Sequence, residues 1–394
     1  QLKLSGSSLE ERRIFKKLSH LLKEKLELRQ KRILIKGKMK KAIVAVPYLS
    51  GNGGTETVIK NFYDAVVKNS QESNLNWKLI SFGGTKYSNW MKKWPKKVYK
   101  FSNKRIIQLM CYILIMPFLI HKILKKEQPT FFIATNPIIW TLAFKFKKKV
   151  SPNTQVIAWY HYSFKMKKVK RRYLSCADKF WAISSGIREE LLSMGIADSK
   201  IYVVYNPISF NNIGLIPRSH NHNHFIYIGR IDYSGQKNVS ELIEALNGLK
   251  GNWNCDLYGK VDKHTQEKLL KLANNETRNN INFKGFYKDV WSHISKADVL
   301  VLTSKFEGLP MVLIEAIARG VAVISSNCPT GTKDIVNKNN GWLYEMGNKK
   351  QLIQILNDLI SYNKKLPNIE SVKRSAQTFN YKNYKFRILE SLRS

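Results

Sequence analysis

Cysteine is scarce: the chain has four in 394 residues, Cys111, Cys176, Cys255 and Cys328, each more than 60 positions from the next. No Cys-x-x-Cys pair or metal-ligand spacing exists, so a zinc module and a disulfide scaffold are excluded and reduced, buried thiols are expected. The opening residues are charged and carry no apolar core of a signal peptide, which favours the cytoplasm. Acidic side chains are also in short supply, 28 against 67 Lys and Arg, for a formal charge of +39. The excess is +8 in residues 1–38, +21 in residues 39–208 and +10 in the remainder. Such a field recruits polyanions, whether nucleic acid, anionic headgroups or a phosphorylated glycan, and charge alone does not choose among them. No RRM, KH, helix-turn-helix or zinc-finger signature is present to favour nucleic acid.

What is abundant is apolar: 43% of the residues, 11% aromatic, enough for a core in each of two domains. Residues 1–38 read as an addition, with Ser8 and Glu11 at capping-box spacing and Leu18, Leu21, Leu22 and Leu26 as a stripe among cations. They form either a basic amphipathic membrane-surface helix or a leader preceding a natural start at Met39. From residue 41 short apolar runs alternate with helical stretches: Ala42–Pro47, Leu79–Phe82, Phe131–Ala134, Val156–Trp159, Phe180–Ile183 and Tyr202–Val204. This is the pattern of a parallel sheet built from βαβ units, and it predicts a Rossmann-like domain over 39–208. A polar stretch from Arg218 to His224, with His220, His222 and His224, reads as a solvated linker rather than a metal site. The pattern restarts with Phe225–Ile228, Trp253–Tyr258, Ile281–Phe283, Val299–Leu302 and Val321–Ser325, predicting a second doubly wound domain over 209–380. Residues 381–394 are expected to form a helix packing back on the first domain.

Three elements carry chemistry. Gly51-Asn52-Gly53-Gly54-Thr55-Glu56 follows the first strand and opens a helix, where glycines and a helix N-terminus let backbone N–H groups approach a phosphate. It has neither the G-x-G-x-x-G spacing nor a P-loop lysine, so a dinucleotide site and a P-loop are unsupported. Gly229-Arg230 follows the first strand of the second domain, with Lys237 seven residues on; a guanidinium and an ammonium converging on one point suit a diphosphate leaving group. In Lys305-Phe306-Glu307-Gly308-Leu309-Pro310-Met311-Val312-Leu313-Ile314-Glu315 a tight loop carries Glu307 and a helix starting near Met311 carries Glu315. Both carboxylates can then point into the crevice at the carboxyl end of the sheet, gripping sugar and ribose hydroxyls.

Together these elements resemble glycosyltransferase family 4, retaining enzymes of the GT-B fold, in which two Rossmann-like domains face across a cleft. The resemblance also runs through Ala182-Ile183-Ser184-Ser185-Gly186-Ile187, Asn206-Pro207 and Gly235-Gln236-Lys237, and covers most of residues 39–360. It implies a hexosyltransferase moving a hexose, galactose or glucose, from a UDP-sugar to a membrane-associated glycan such as lipopolysaccharide core or another cell-surface polysaccharide. It further implies that Arg230 and Lys237 bind the diphosphate and that Glu315 holds the ribose. Glu307 and the turn Gly308-Leu309-Pro310-Met311, through its free amides, would hold the sugar. His161 would lie near the sugar, Gly53 and Gly54 would approach the phosphates or the acceptor, and Gly229 would belong with them to the donor-binding set. Neither a cofactor nor a metal is expected, the donor being a substrate, and no Asp-x-Asp element occurs. Where relatives often have Gly-Gly and a glutamate, this chain has Thr330-Gly331-Thr332-Lys333-Asp334. An epimerase or hydrolase of the same fold is the alternative reaction.

Two further stretches suggest an anionic membrane surface. Seven cations with Trp90, Trp94, Tyr99 and Phe101 interleaved fill Trp90–Arg105, and six more fill Lys165–Arg172. Ile106–Leu124 is almost wholly apolar and long enough to span a bilayer, but its polar interruptions and Pro117 predict a buried or half-inserted helix.

Overall fold

The computed structural model describes residues 39–393 apart from 52, 69–73, 103, 212 and 220–222. The N-terminal extension with its capping box and leucine stripe, and His220 and His222, lie outside the described residues.

Two parallel sheets form. The first runs β1 (Lys40–Val46), β2 (Leu75–Gly83), β3 (Lys96–Lys100), β4 (Phe131–Ala134), β5 (Gln155–Ala158), β6 (Lys179–Ala182) and β7 (Ile201–Val203) along the chain, in the spatial order β3-β2-β1-β4-β5-β6-β7. The second has β8 (His224–Ile228), β9 (Asn254–Tyr258), β10 (Ile281–Gly285), β11 (Val299–Leu302), β12 (Ala322–Ser326) and β13 (Gly341–Tyr344), ordered β10-β9-β8-β11-β12-β13. The central strands are apolar on both faces because helices cover both sides: Ala42, Val44, Ala45 and Val46 of β1 and all of β11 are buried. In each sheet the order reverses beside the first strand of its domain, between β1 and β4 and between β8 and β11. At these reversals the connections diverge to opposite faces and leave a crevice beyond the carboxyl ends.

The first core is aromatic. The Phe62 ring lies 5.1 Å from Trp77, 6.0 Å from Trp94, 5.2 Å from Trp159 and 6.1 Å from both Trp181 and Tyr384. Tyr384 belongs to the last helix, Tyr381–Arg393, which crosses to this domain. There the Trp181 indole N–H donates to Ser391 Oγ (2.9 Å), Lys179 Nζ donates to the Ser391 carbonyl (2.9 Å) and Arg387 Nε donates to the Val204 carbonyl (3.1 Å). Each such ring removes roughly 150 to 250 Å² from water, so this cluster fixes the chain's end to its beginning.

Several expectations are corrected. Trp90 and Trp94 are buried in this core, and half-buried Tyr99 stacks on Phe82 at 5.7 Å, so these three rings pack inward instead of standing on the surface. The alternating pattern there belongs to β3, an edge strand whose lysines stay in water. His224 is buried in β8, not in a linker, with Nε2 3.2 Å from Asp256 Oδ2. The linker is itself fastened: Arg218 donates to the Pro367 carbonyl and the Ser219 N–H to Asp298. Ile106–Leu124 lies in a helix, Arg105–Glu127, that is buried only in its second half, at Met116, Ile120, Ile123 and Leu124. A wide turn at Cys111–Ile115 immediately precedes Pro117, whose missing N–H and bulky ring a regular helix would not accept.

Candidate active site

The second domain's site is assembled by one acid. Asp232 accepts the N–H groups of Lys237 (3.2 Å) and Asn238 (2.9 Å), folding residues 232–238 into a compact loop after β8. The hydroxyl of Thr303, at the end of β11, donates to the Lys237 and Asn238 carbonyls (3.1 and 3.0 Å), and the Lys305 N–H donates to the Gln236 carbonyl (2.8 Å). The loops after β8 and β11 thus close over the sheet's reversal point.

Inside them Lys237 Nζ lies 2.6 Å from Glu307 Oε1, which also accepts the Ser304 hydroxyl at 2.7 Å. Glu307 is buried. Arg230 has its side chain 65% exposed and 3.5 Å from Asp232, its ion-pair partner among the described residues, so its guanidinium is accessible to a ligand. The Tyr227 hydroxyl donates to the Arg230 carbonyl (2.8 Å). Burial pushes that phenol well above its ordinary pKa; the nearby Asp232 and Glu307 carboxylates add to the effect and Arg230 opposes it. Cys328 sits beside the pair, its thiol raised to about 12 chiefly by burial and then by Glu307.

Glu315 does not join this group. On the helix Met311–Ile317, its carboxylate accepts the Trp291 indole N–H (3.0 Å), while Arg319 covers the Trp291 ring at 4.6 Å. Burial raises its pKa, against the Trp291 hydrogen bond and the Arg319 charge. The two carboxylates thus have different partners, Glu307 an ammonium and a hydroxyl, Glu315 an indole.

The first domain supplies the opposite wall. A Cβ on Gly308 would lie 2.9 Å from Ile183 Cδ1 and 3.1 Å from the His161 carbonyl oxygen, so the Glu307-Gly308 turn rests directly on the segment carrying His161. The His161 ring is 4.6 Å from Trp159, both its nitrogens are buried without a hydrogen-bond partner among the described residues, and burial lowers its pKa to about 3. The imidazole is neutral at ordinary pH.

The glycine loop after β1 departs from the expected phosphate cradle. Glu56 is buried and folds back, accepting the Gly51 N–H at 2.7 Å and the Ser50 hydroxyl at 3.2 Å. A Cβ on Gly53 would lie 2.7 Å from that carboxylate, whereas one on Gly54 would meet open space. A buried negative charge beneath the amides disfavours an anion on top of them.

The departure at Thr330–Asp334 has a structural role. Gly331, at φ +63°, packs so closely on the Gly308 carbonyl that a Cβ would lie 2.5 Å from its oxygen, and Thr330 donates its hydroxyl to the Glu307 carbonyl. Asp334 accepts the Ser185 N–H at 2.8 Å from across the cleft, with the Tyr205 hydroxyl 3.5 Å away, and Gly186 lets the Thr330 backbone approach. A cavity of about 640 Å³, lined by Lys165, Ser185, Cys328, Thr330 and Lys333, opens here. It adjoins the Lys237–Glu307 pair rather than enclosing it; the convergent charges mark the pair, not the larger cavity, as the candidate reaction centre.

Asp232 and Trp291 escaped the sequence reading, and Asp334 entered it only as part of the departure at Thr330–Asp334, without its contact to Ser185. Asp232 stands two residues past Arg230, a spacing visible once a β8 loop is assumed; the other two carry no local signal. Among the described residues no three His, Cys, Asp or Glu side chains group so as to hold a metal ion.

Residues 88–211 match Glycosyltransferase Family 4 and residues 215–375 match Glycosyl transferases group 1. The chain is similar to the lipopolysaccharide 1,6-galactosyltransferase of Escherichia coli K12, 32% identical over 79% of this chain and 87% of that protein. It is likewise similar to the enzyme of the same name from Salmonella typhimurium, at 31% over 79% and 88%. Among solved structures, apo lipopolysaccharide outer core galactosyltransferase WaaB superposes with a TM-score of 0.78 at 28% identity, covering 89% of this chain and 98% of that one. Anabaena HepE in complex with UDP-glucose shares the fold, with a TM-score of 0.69, 18% identity and coverage of 90% and 99%. The parallel sheets, their facing crevices and these likenesses agree: the chain belongs to glycosyltransferase family 4 and has the GT-B fold.

Proposed function

We propose that this glycosyltransferase moves a hexose, galactose or glucose, with retention from a UDP-sugar to a membrane-associated glycan of the lipopolysaccharide-core kind, at the cytoplasmic face of a bacterial membrane. One observation carries the reading: a half-buried lysine paired with a buried carboxylate, Lys237 and Glu307 at 2.6 Å, near an exposed guanidinium, Arg230, at the reversal point of the second sheet. The relatives named for lipopolysaccharide galactosyl transfer support the acceptor class, and the neighbour solved with UDP-glucose supports the donor.

Arg230 and Lys237 neutralise the donor diphosphate. As the anomeric C–O bond breaks, charge builds on the departing phosphate oxygen, and these two cations stabilise it. The acceptor oxygen bonds to the anomeric carbon on the same face, and its proton passes to the departing phosphate. Glu307 orients Lys237 and, with the Gly308 to Met311 turn, holds the sugar; Glu315 holds the ribose. His161, neutral and unpartnered, hydrogen-bonds a sugar hydroxyl. Gly53 and Gly54 shape the acceptor side, the Gly51 amide before them being taken by Glu56. No resident cofactor or metal enters this scheme.

The test is transfer of label from radiolabelled UDP-galactose and UDP-glucose to truncated lipopolysaccharide. Label in the glycan supports the reading; label that stays on nucleotide as an epimer, or is released as free sugar, sinks it in favour of an epimerase or hydrolase.

A further inference from the structure

Among the described residues, the first half of the helix Arg105–Glu127 holds the densest run of exposed apolar side chains. Ile106 is 77% exposed, Leu109 59%, Met110 52%, Ile113 62%, Leu114 67% and Phe118 65%. Packing explains only the second half, where Ile120, Ile123 and Leu124 are buried and the neighbouring helix Pro137–Val150 touches it through His121 and Phe146, rings 5.6 Å apart. A monomer in water does not leave three turns of aliphatic surface uncovered.

The electrostatic setting names the occupant. Residues 73–177 contain 22 Lys and Arg and a single acid, Glu127, which Lys41 and Lys78 hold at 3.2 and 2.9 Å. The lysines flanking the helix, Lys100, Lys104, Lys122, Lys125 and Lys126, are exposed. An apolar face within a cationic rim fits an anionic bilayer surface, and the same charge opposes packing against a second copy. The helix cannot cross the bilayer, because its second half is part of the domain core.

Its start is tied to the cleft. The Tyr112 hydroxyl accepts the Tyr48 N–H at 2.7 Å and donates to the Phe82 carbonyl at 2.8 Å, which links the helix to the carboxyl ends of β1 and β2 beside the glycine loop. We propose that the face Ile106–Phe118 lies in the plane of an anionic membrane, submerged to the level of the headgroups, and brings the acceptor-side mouth of the cleft to the lipid surface. This deepens, and rests on, the reading of a membrane-associated acceptor, and it replaces the buried aromatics of Trp90–Arg105 as the anchor.

The test is flotation of the full chain with vesicles of phosphatidylethanolamine and phosphatidylglycerol, for the parent and for the combined variant Leu109→Gln, Ile113→Gln, Leu114→Gln, Phe118→Gln. All four side chains are exposed, so the variant should keep the parent's melting temperature and UDP affinity, and the single variant Phe118→Gln guards against a folding failure. The expected result is parent in the floating fraction, a loss of at least about tenfold for the combined variant and a partial loss for Phe118→Gln. Equal flotation of parent and variants overturns the proposal, because the lysines or another segment then suffices. So does a parent that stays at the bottom of the gradient, or one that dimerises without vesicles through this face and ignores them. Transfer to a detergent-dispersed acceptor is scored separately: flotation without transfer leaves the helix assignment standing and removes the reaction, and transfer without flotation does the reverse.

Discussion

Each domain opens with a strand that runs into a glycine-containing loop, and each loop is organised by one carboxylate, yet the two loops emerge with opposite character. After β1, Glu56 takes the Gly51 N–H and the Ser50 hydroxyl and leaves a buried negative charge under the amides. After β8, Asp232 takes the Lys237 and Asn238 N–H groups and leaves the Arg230 side chain exposed and the Lys237 ammonium against Glu307. The lesson is that a glycine loop at a strand–helix junction is only permissive. Which ligand it accepts depends on whether its organising acid consumes the local positive charge or presents it.

The sharpest way to break the comparison is Lys237→Ala. If the second loop is the diphosphate side, turnover should fall roughly 10² to 10³-fold, measured as transfer of label from the UDP-sugar. Because the change also strands the buried Glu307 carboxylate, the double variant Lys237→Ala, Glu307→Gln should recover thermal stability but not turnover. A single variant within a few-fold of the parent would remove the second loop from the chemistry. Arg230→Ala comes next. Its side chain is mostly exposed, so the melting temperature should hold while UDP affinity, read by calorimetry, drops about 10- to 100-fold, the worth of one charge-assisted contact.

Glu56→Ala probes the other side. It orphans the Gly51 N–H and should cost about 1 to 2 kcal/mol of stability by urea unfolding, with UDP affinity unchanged. Lost UDP affinity would mean that the first loop touches the donor after all and would erase the contrast.

The framework was legible because parallel strands buried on both faces are written as uninterrupted apolar runs; Phe131–Ala134 and Val299–Leu302 were read to the residue. β3 was missed because an edge strand needs no such run: Lys-Lys-Val-Tyr-Lys reads as a membrane-seeking surface until Tyr99 is seen stacked on Phe82. Trp90 and Trp94 misled for a related reason, since an indole among lysines has the same local sequence whether it faces lipid or a core assembled from Phe62 and Trp77 far along the chain. At the site, Arg230, Lys237 and Glu307 could be chosen by residue type and spacing. That Glu307 binds Lys237 while Glu315 binds Trp291 could not, because the partners lie 70 and 24 residues away. Asp334 gripping the Ser185 amide was likewise invisible, being a contact between domains.

The remaining contrast concerns His161, the polar group that the first domain adds to a centre whose charges come from the second. Burial holds its pKa at about 3, whereas in the unfolded chain an imidazole titrates near ~6.5. Between those values the unfolded chain carries a proton that the folded one lacks. Folding stability therefore falls as pH is lowered from about 6.5 toward 3, by at most roughly 1.4 kcal/mol per pH unit, and above that window the group contributes no pH dependence. His161→Gln should flatten this acid-side slope by one proton, read from urea midpoints at about pH 5 and pH 7. In the parent enzyme, kcat should show no inflection near the ordinary histidine range that disappears in the variant. Such an inflection would mean that the imidazole is charged and solvated in the working cleft, and the division of labour between a neutral wall and a cationic one would have to be redrawn.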